Sequence, residues 1–343
     1  MIKNKYLIFS KTGYEPFFDF LKGICIILVI LNHSLSGDIK ENTLFVLWGY
    51  PAVPIFLLIQ VFHTYKNGYK NQKFRFYKSW KRVILPFAIA ETITIGSLLL
   101  LHKEHASNII NTFYYCGGYG PGSYYPWIYL QFAIILPLLA PVISKLNENW
   151  IIPFFLFLAI GTEFFSSLVH LPQWLWRLLL LKYLFIIFLG YIIVERGIRL
   201  NLITIFLSLI SIFTTLYLGY YDIDLSPWFY YMPNWNPVHW INYIYIIYFM
   251  IYFYKRVFES IKANNTINSF ICIIGKQSYS IFVFQLFFFS VIAPYISSLL
   301  ITFYPPNLSN YIFAILTLSI CISWGFIMQK TEGRLKVIKR RNR

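Results

Sequence analysis

The chain has 343 residues, of which 58% are Ala, Val, Ile, Leu, Met, Phe, Trp, Tyr or Cys and only 12% are charged. Soluble domains carry roughly 25% charge, so a water-facing surface would have to expose large apolar patches, and an ordinary soluble enzyme is excluded. A net charge of +16 raises the question of nucleic acid, but such binding needs cations clustered on one hydrated face; here they are parcelled between apolar runs, and no nucleic-acid partner is expected.

About 20 residues cross the hydrocarbon core of a bilayer. On that length the apolar runs predict ten membrane spans, at 17–37, 44–64, 80–101, 124–146, 150–169, 178–195, 201–221, 237–256, 278–301 and 311–329. The first resembles a signal peptide, with Lys3, Lys5 and Lys11 ahead of it, but Asp19 and Lys22 at its start mark a retained helix. With the N-terminus in the cytoplasm, 25 of the 29 Lys and Arg fall inside and only Lys40, Lys103, Arg177 and Lys182 fall outside. That asymmetry fits the positive-inside rule, and an odd number of spans would put the basic C-terminus on the wrong side. The expected fold is all-α and polytopic, with both termini cytoplasmic. It forms one membrane-embedded domain with a core of about 14–330 and a basic tail at 331–343.

Polar groups in lipid are expensive, so those inside the spans carry the functional information. In the first span Asp19, Lys22 and His33 share one helix face at 100° per residue. Lys22 and His33 are separated by about 16 Å along the axis, a length comparable with a pantetheine arm whose phosphates stay near water while its thioester reaches a buried site. Lys22 reads either as a snorkelling anchor or as a ligand for those phosphates. His33 reads either as a packed histidine or as a group that takes a hydroxyl proton near neutrality and returns it. The third span opens on Lys78-Ser79-Trp80-Lys81-Arg82 before Pro86; this run is either a positive-inside anchor or a clamp on a phosphate-bearing ligand. Glu91, in the same span, and Glu163, in the fifth, are acids inside the membrane, as partners of His33 or as acids satisfied by neighbouring polar groups.

Between the spans, His102 and His105 lie in an outside loop with no third ligand in reach, so no metal site is expected. The four cysteines, Cys25, Cys116, Cys272 and Cys321, have no CxxC spacing and read as small core residues. Arg177 and Lys182 are outside cations, suited to a lipid-linked sugar phosphate or to the interface. Residues 220–240 combine Asp222 and Asp224 with rings that include Trp228 and Trp235. Sugar faces stack on rings and sugar hydroxyls donate to carboxylates, so this segment is either a glycan platform or an interfacial aromatic belt.

Taken in order, the motifs resemble the acyltransferase-3 family of integral-membrane O-acyltransferases. Asp19-Phe20-Leu21-Lys22-Gly23 followed by His33 matches the family's first helix, with Lys22 where Arg is usual. The run Lys78, Lys81, Arg82 and Pro86 resembles its third. Gly120-Pro121-Gly122-Ser123-Tyr124-Tyr125-Pro126-Trp127, with Gln131 and Pro137, is similar to a turn and helix of polysaccharide-acetylating members. Gly275-Lys276-Gln277-Ser278-Tyr279 is similar to the late Ser-Tyr segment, although Gln285 stands where many members carry His.

The resemblance implies an O-acetyltransferase of the cell membrane, with acetyl-CoA as co-substrate, no permanently bound cofactor, and a cell-surface or lipid-linked glycan as acceptor. It places His33 as base or acyl carrier with Asp19 orienting Lys22, and Lys22, Lys78, Lys81 and Arg82 around CoA. Asp222, Asp224, Trp228, Trp235, Glu91 and Gln131 are expected near the acceptor. The rival classes are a flippase, for which no repeat of Gly/Pro-broken helices is found, and a glycan polymerase, which calls for a longer and more basic outside loop.

Overall fold

The structure is a computed structural model and describes residues 6–7, 15–66, 76–101, 103–169, 171–220, 241–261 and 265–341. Almost all of this is helix, and the strands among the described residues form one two-residue antiparallel pairing of Tyr6–Leu7 with Ile198–Arg199. Asp222, Asp224, Trp228 and Trp235 lie outside the described residues.

Each expected span coincides with helical backbone over most of its length, and six helices are long and apolar enough to cross a membrane. They are Pro16–Ser34, Phe45–Lys66, Trp80–Leu100, Tyr125–Ile143, Ser278–Phe303 and Pro306–Thr331. Of the other four expected spans, two coincide with helices of 21 and 19 residues, Glu148–Leu168 and Leu202–Tyr220, and not all reach that length. Leu184–Arg196, for example, has 13 residues, about 20 Å of helix against a hydrocarbon core of about 30 Å. The chain is a multi-pass membrane protein whose lipid-facing surface is visible as exposed Leu202, Phe206, Phe213, Leu299, Phe303 and Ile315.

Pro16–Ser34 sits at the centre of the bundle. In it 67% of the span is buried, against 22% in Pro306–Thr331, and Phe17, Phe20, Leu21 and Cys25 are sealed in the core. Its principal neighbour is Asn265–Lys276, a 12-residue helix too short and polar to stand out as a span in the sequence. The two run antiparallel: Gly23 meets Ile271, and Gly275 meets Asp19. A Cβ on Gly275 would lie 1.7 Å from the Asp19 carbonyl oxygen, and one on Gly23 would lie 2.2 Å from that of Ile271. Glycine at both places is what lets the backbones touch.

Candidate active site

One cavity of about 1190 Å³ runs alongside the first helix. Lys22, Ile26, Val29 and His33 line it, at spacings of four, three and four residues that keep them on one helical face. Asp19 lies behind this face, 6% exposed, and its carboxylate pairs with the Lys22 ammonium at 2.6 Å. The ion pair fixes the direction of an otherwise flexible lysine.

The basic run of the third span is divided by its own geometry. Pro86 has no N–H to offer the Arg82 carbonyl and its ring crowds it, and the helix widens to a π-turn over Trp80–Ile84. Such turns release backbone carbonyls; that of Val83 accepts a hydrogen bond from the Tyr279 hydroxyl. Ser79 and Arg82, three apart, line the cavity, whereas Lys81, exposed as Arg82 is, does not. Lys78 lies on the helical turn Phe76–Ser79. Lys276 also lines the cavity, delivered there by the Gly23–Gly275 contact one residue before it. His63 and Thr64, at the end of Phe45–Lys66, complete this part of the wall.

Around His33 the wall is made by loops. Lys40 lies on the short helix Gly37–Asn42, where its Nζ donates to the Asn32 carbonyl at 3.2 Å and comes within electrostatic reach of the His33 imidazole. Burial pulls the Lys40 ammonium below the usual lysine range. The turn 117–123 supplies Gly120, Pro121, Gly122 and Ser123. Gly120 adopts φ +83°, and a Cβ there would lie 2.7 Å from the Leu286 carbonyl oxygen, so this position needs glycine on both counts. Three side chains tie the turn down: Ser123 Oγ donates to the Cys116 carbonyl at 3.0 Å, Trp127 Nε1 to that of Gly117 at 2.7 Å, and the Tyr119 N–H to Glu91 Oε2 at 2.9 Å.

Arg177 and Lys182 line the same cavity from the break between the helix Gln173–Leu178 and the 3-10 turn Leu180–Tyr183. Gln131 spans that break: its Nε2 donates to the Leu178 carbonyl at 2.7 Å, and its Oε1 accepts from the Leu180 N–H at 2.8 Å.

The structure thus brings together His33, Lys22 and Arg82 from the expected set, adds Lys276, Lys40 and His63, and keeps Asp19, Glu91, Gln131 and Lys81 off the cavity wall. Glu91 and Gln131 spend hydrogen bonds on the backbone of the two loops that form it. In the sequence Glu91 stands out as an acid inside a span and Gln131 only as part of the motif that begins at Gly120, and neither signal says what the side chain contacts. His63 carried the same signal as His33, an imidazole in an apolar run. Gln285 is fully buried, and neither its Oε1 nor its Nε2 has a hydrogen-bond partner among the described residues. Among the described residues no three of His, Cys, Asp or Glu converge as a metal site would require.

Compared with known proteins, residues 15–328 match the family model described as an acyltransferase domain. The chain belongs to the acyltransferase-3 family. No curated protein and no solved structure matched it. The match spans every element that lines the cavity, so the cavity is the place to seek the chemistry of this integral-membrane acyltransferase.

Proposed function

We propose that this protein is an O-acyltransferase of the cell membrane, moving an acyl group, acetyl in the first instance, from cytoplasmic acyl-CoA to a hydroxyl of a cell-surface or lipid-linked polysaccharide. One observation carries the reading. A single cavity joins a cluster of cations, Lys22, Arg82 and Lys276, to an imidazole, His33, about 16 Å further along the same helix. The cations suit the phosphates of CoA, two of them as point charges and Arg82 as a planar fork. The distance suits its extended arm, which lays the thioester near His33. Asp19 is then a positioning residue for Lys22, remote from the reacting atoms.

In this reaction the acceptor oxygen attacks the thioester carbonyl carbon while His33 removes the hydroxyl proton. The C–S bond breaks, an ester forms, and the proton leaves His33 with the CoA thiol. A thioester needs no further activation, so holding the two substrates together, supplying a base and excluding water account for the acceleration. The Lys22 end faces the cytoplasm, in accord with the cation asymmetry, and the His33 end faces the acceptor.

The test uses membranes containing the full chain, labelled acetyl-CoA and the surface glycan of the source cells. Label should enter the glycan with the wild-type chain and be lost with His33→Ala at equal protein level. Undiminished transfer by His33→Ala would remove the catalytic assignment, and movement of glycan without label would favour a flippase.

A further inference from the structure

The reaction proposed above creates a negative charge that a base at His33 does not meet. When the acceptor oxygen adds to the thioester carbonyl carbon, the π electrons of the C=O bond move onto the carbonyl oxygen, whereas the proton that His33 takes comes from the other oxygen. A site that excludes water has to supply donors for this oxyanion from the protein, in place before the charge forms. Both oxygens are bonded to one carbon at that moment, so the donors belong on the same part of the wall as His33.

Two groups are placed there. Asn32 precedes His33 in the last turn of Pro16–Ser34, and both residues line the cavity. Its amide carries two N–H donors, and a polar side chain within a membrane helix marks a functional position. Lys40 is the second. The last carbonyls of a helix have no donor within it, and that of Asn32 accepts from Lys40 Nζ at 3.2 Å. The ammonium is therefore held against the peptide that joins Asn32 to His33. From there Lys40 lines the cavity, and the bond to Asn32 occupies one of the three donors of an ammonium. Ile39, buried beside it, docks the short helix Gly37–Asn42 on the bundle, so the lysine is carried by an anchored element.

Resting on the acyl-transfer reading, we infer that Asn32 and Lys40 are catalytic residues that form the oxyanion site: Asn32 Nδ2 and Lys40 Nζ donate hydrogen bonds to the thioester carbonyl oxygen as it becomes negative. The C–S bond then breaks, the C=O bond re-forms, and the CoA thiolate takes the proton from His33. Both donors end the cycle as they began it. An amide and an ammonium on adjoining backbone meet the oxyanion from two directions, while the imidazole keeps to the acceptor oxygen.

The test measures acyl transfer by the purified full chain in detergent, from labelled acetyl-CoA to the surface glycan of the source cells, with kcat, both KM values and the thermal transition of each variant. Asn32→Asp keeps the shape of the side chain and replaces its donors with acceptors; Lys40→Met removes the ammonium. Each should lower kcat by about 100–1,000-fold, the range for losing one oxyanion donor, with both KM values held within about threefold, as expected of a contact made only in the transition state. Lys40→Arg, which keeps the charge and the donors, should recover part of the rate lost in Lys40→Met. A Lys40 that only caps the helix would give a lower thermal transition in Lys40→Met with kcat intact, and that result overturns its assignment. Undiminished kcat in Asn32→Asp overturns the assignment of Asn32. Binding of CoA by each variant reports that it is folded. No transfer by the wild-type chain, or full transfer by His33→Ala, would count against the acyl-transfer reading itself. Active wild type and inactive His33→Ala beside undiminished Asn32→Asp and Lys40→Met would sink this inference alone.

Discussion

The two ends of the cavity are built from different materials. At the Lys22 end, the cations ride on helices whose backbones are in contact through Gly23 and Gly275, and the π-turn of the third span is held by Tyr279. At the His33 end, Lys40, the turn 117–123 and the Arg177–Lys182 segment are short helices and loops, tied down by side chains such as Glu91, Ser123, Trp127 and Gln131. Loops on a rigid scaffold are where binding specificity is readily varied. On the acyl-transfer reading proposed above, the helix-built end would receive the donor and the loop-built end the acceptor.

The largest effect that would probe this contrast comes from the backbone contact. Gly275→Val puts branched carbon where even a Cβ lies 1.7 Å from the Asp19 carbonyl oxygen and 2.8 Å from the Gly23 nitrogen. Neither neighbour is a side chain that can swing away, so no folded protein should survive detergent extraction in size-exclusion chromatography. Gly275→Ala should lower stability by at least the ~1–3 kcal/mol typical of overpacking, seen as an earlier thermal transition. If Gly275→Ala were as stable as the wild type, the two helices would not be the rigid foundation described for this end.

Next in size are the donor cations. Lys22→Ala, Arg82→Ala and Lys276→Ala should each raise KM for acetyl-CoA by about 10–100-fold, the range for hydrogen bonds to charged groups, with KM for the acceptor unchanged. Gln131→Leu should do the reverse. It leaves the part-buried Leu178 carbonyl and Leu180 N–H without their partner, at a cost of at most about 1–3 kcal/mol for each group, and lets Arg177 and Lys182 drift. Steady-state kinetics should then show KM for the acceptor rising about tenfold or more while KM for acetyl-CoA holds. Equal changes in both constants for Gln131→Leu would mean that the two ends are not separable.

How much of this was legible beforehand depended on the kind of contact involved. The facing of Lys22 and His33 followed from helical periodicity alone, because both lie on one element. The role of Gly275 did not, since only the packing of two helices about 250 residues apart in sequence turns a glycine in an ordinary-looking segment into a point of backbone contact. Likewise Glu91 stands out as an acid inside a span and Gln131 as part of a motif, yet which backbone groups they bond depends on loops whose paths no periodicity encodes. The number of spans was inferred from apolar runs, and a helix such as Leu184–Arg196 shows that an apolar run can be extended further in sequence than in helical backbone.

The smallest effect is expected from Lys81, and it sharpens the comparison most cheaply. A cluster of positive charges can attract CoA in two ways: by summed charge, which any lysine in the run supports equally, or through the face that a particular residue presents. Lys81 and Arg82 are adjacent in sequence and both exposed, but only Arg82 lines the cavity. An exposed substitution away from such a contact usually changes free energies by no more than about 0.5 kcal/mol, so Lys81→Ala should leave KM for acetyl-CoA within about twofold of wild type. If instead it raised KM as much as Arg82→Ala, summed charge would govern donor capture, both variants would respond steeply to salt, and the geometric assignment of the Lys22 end would have to be withdrawn.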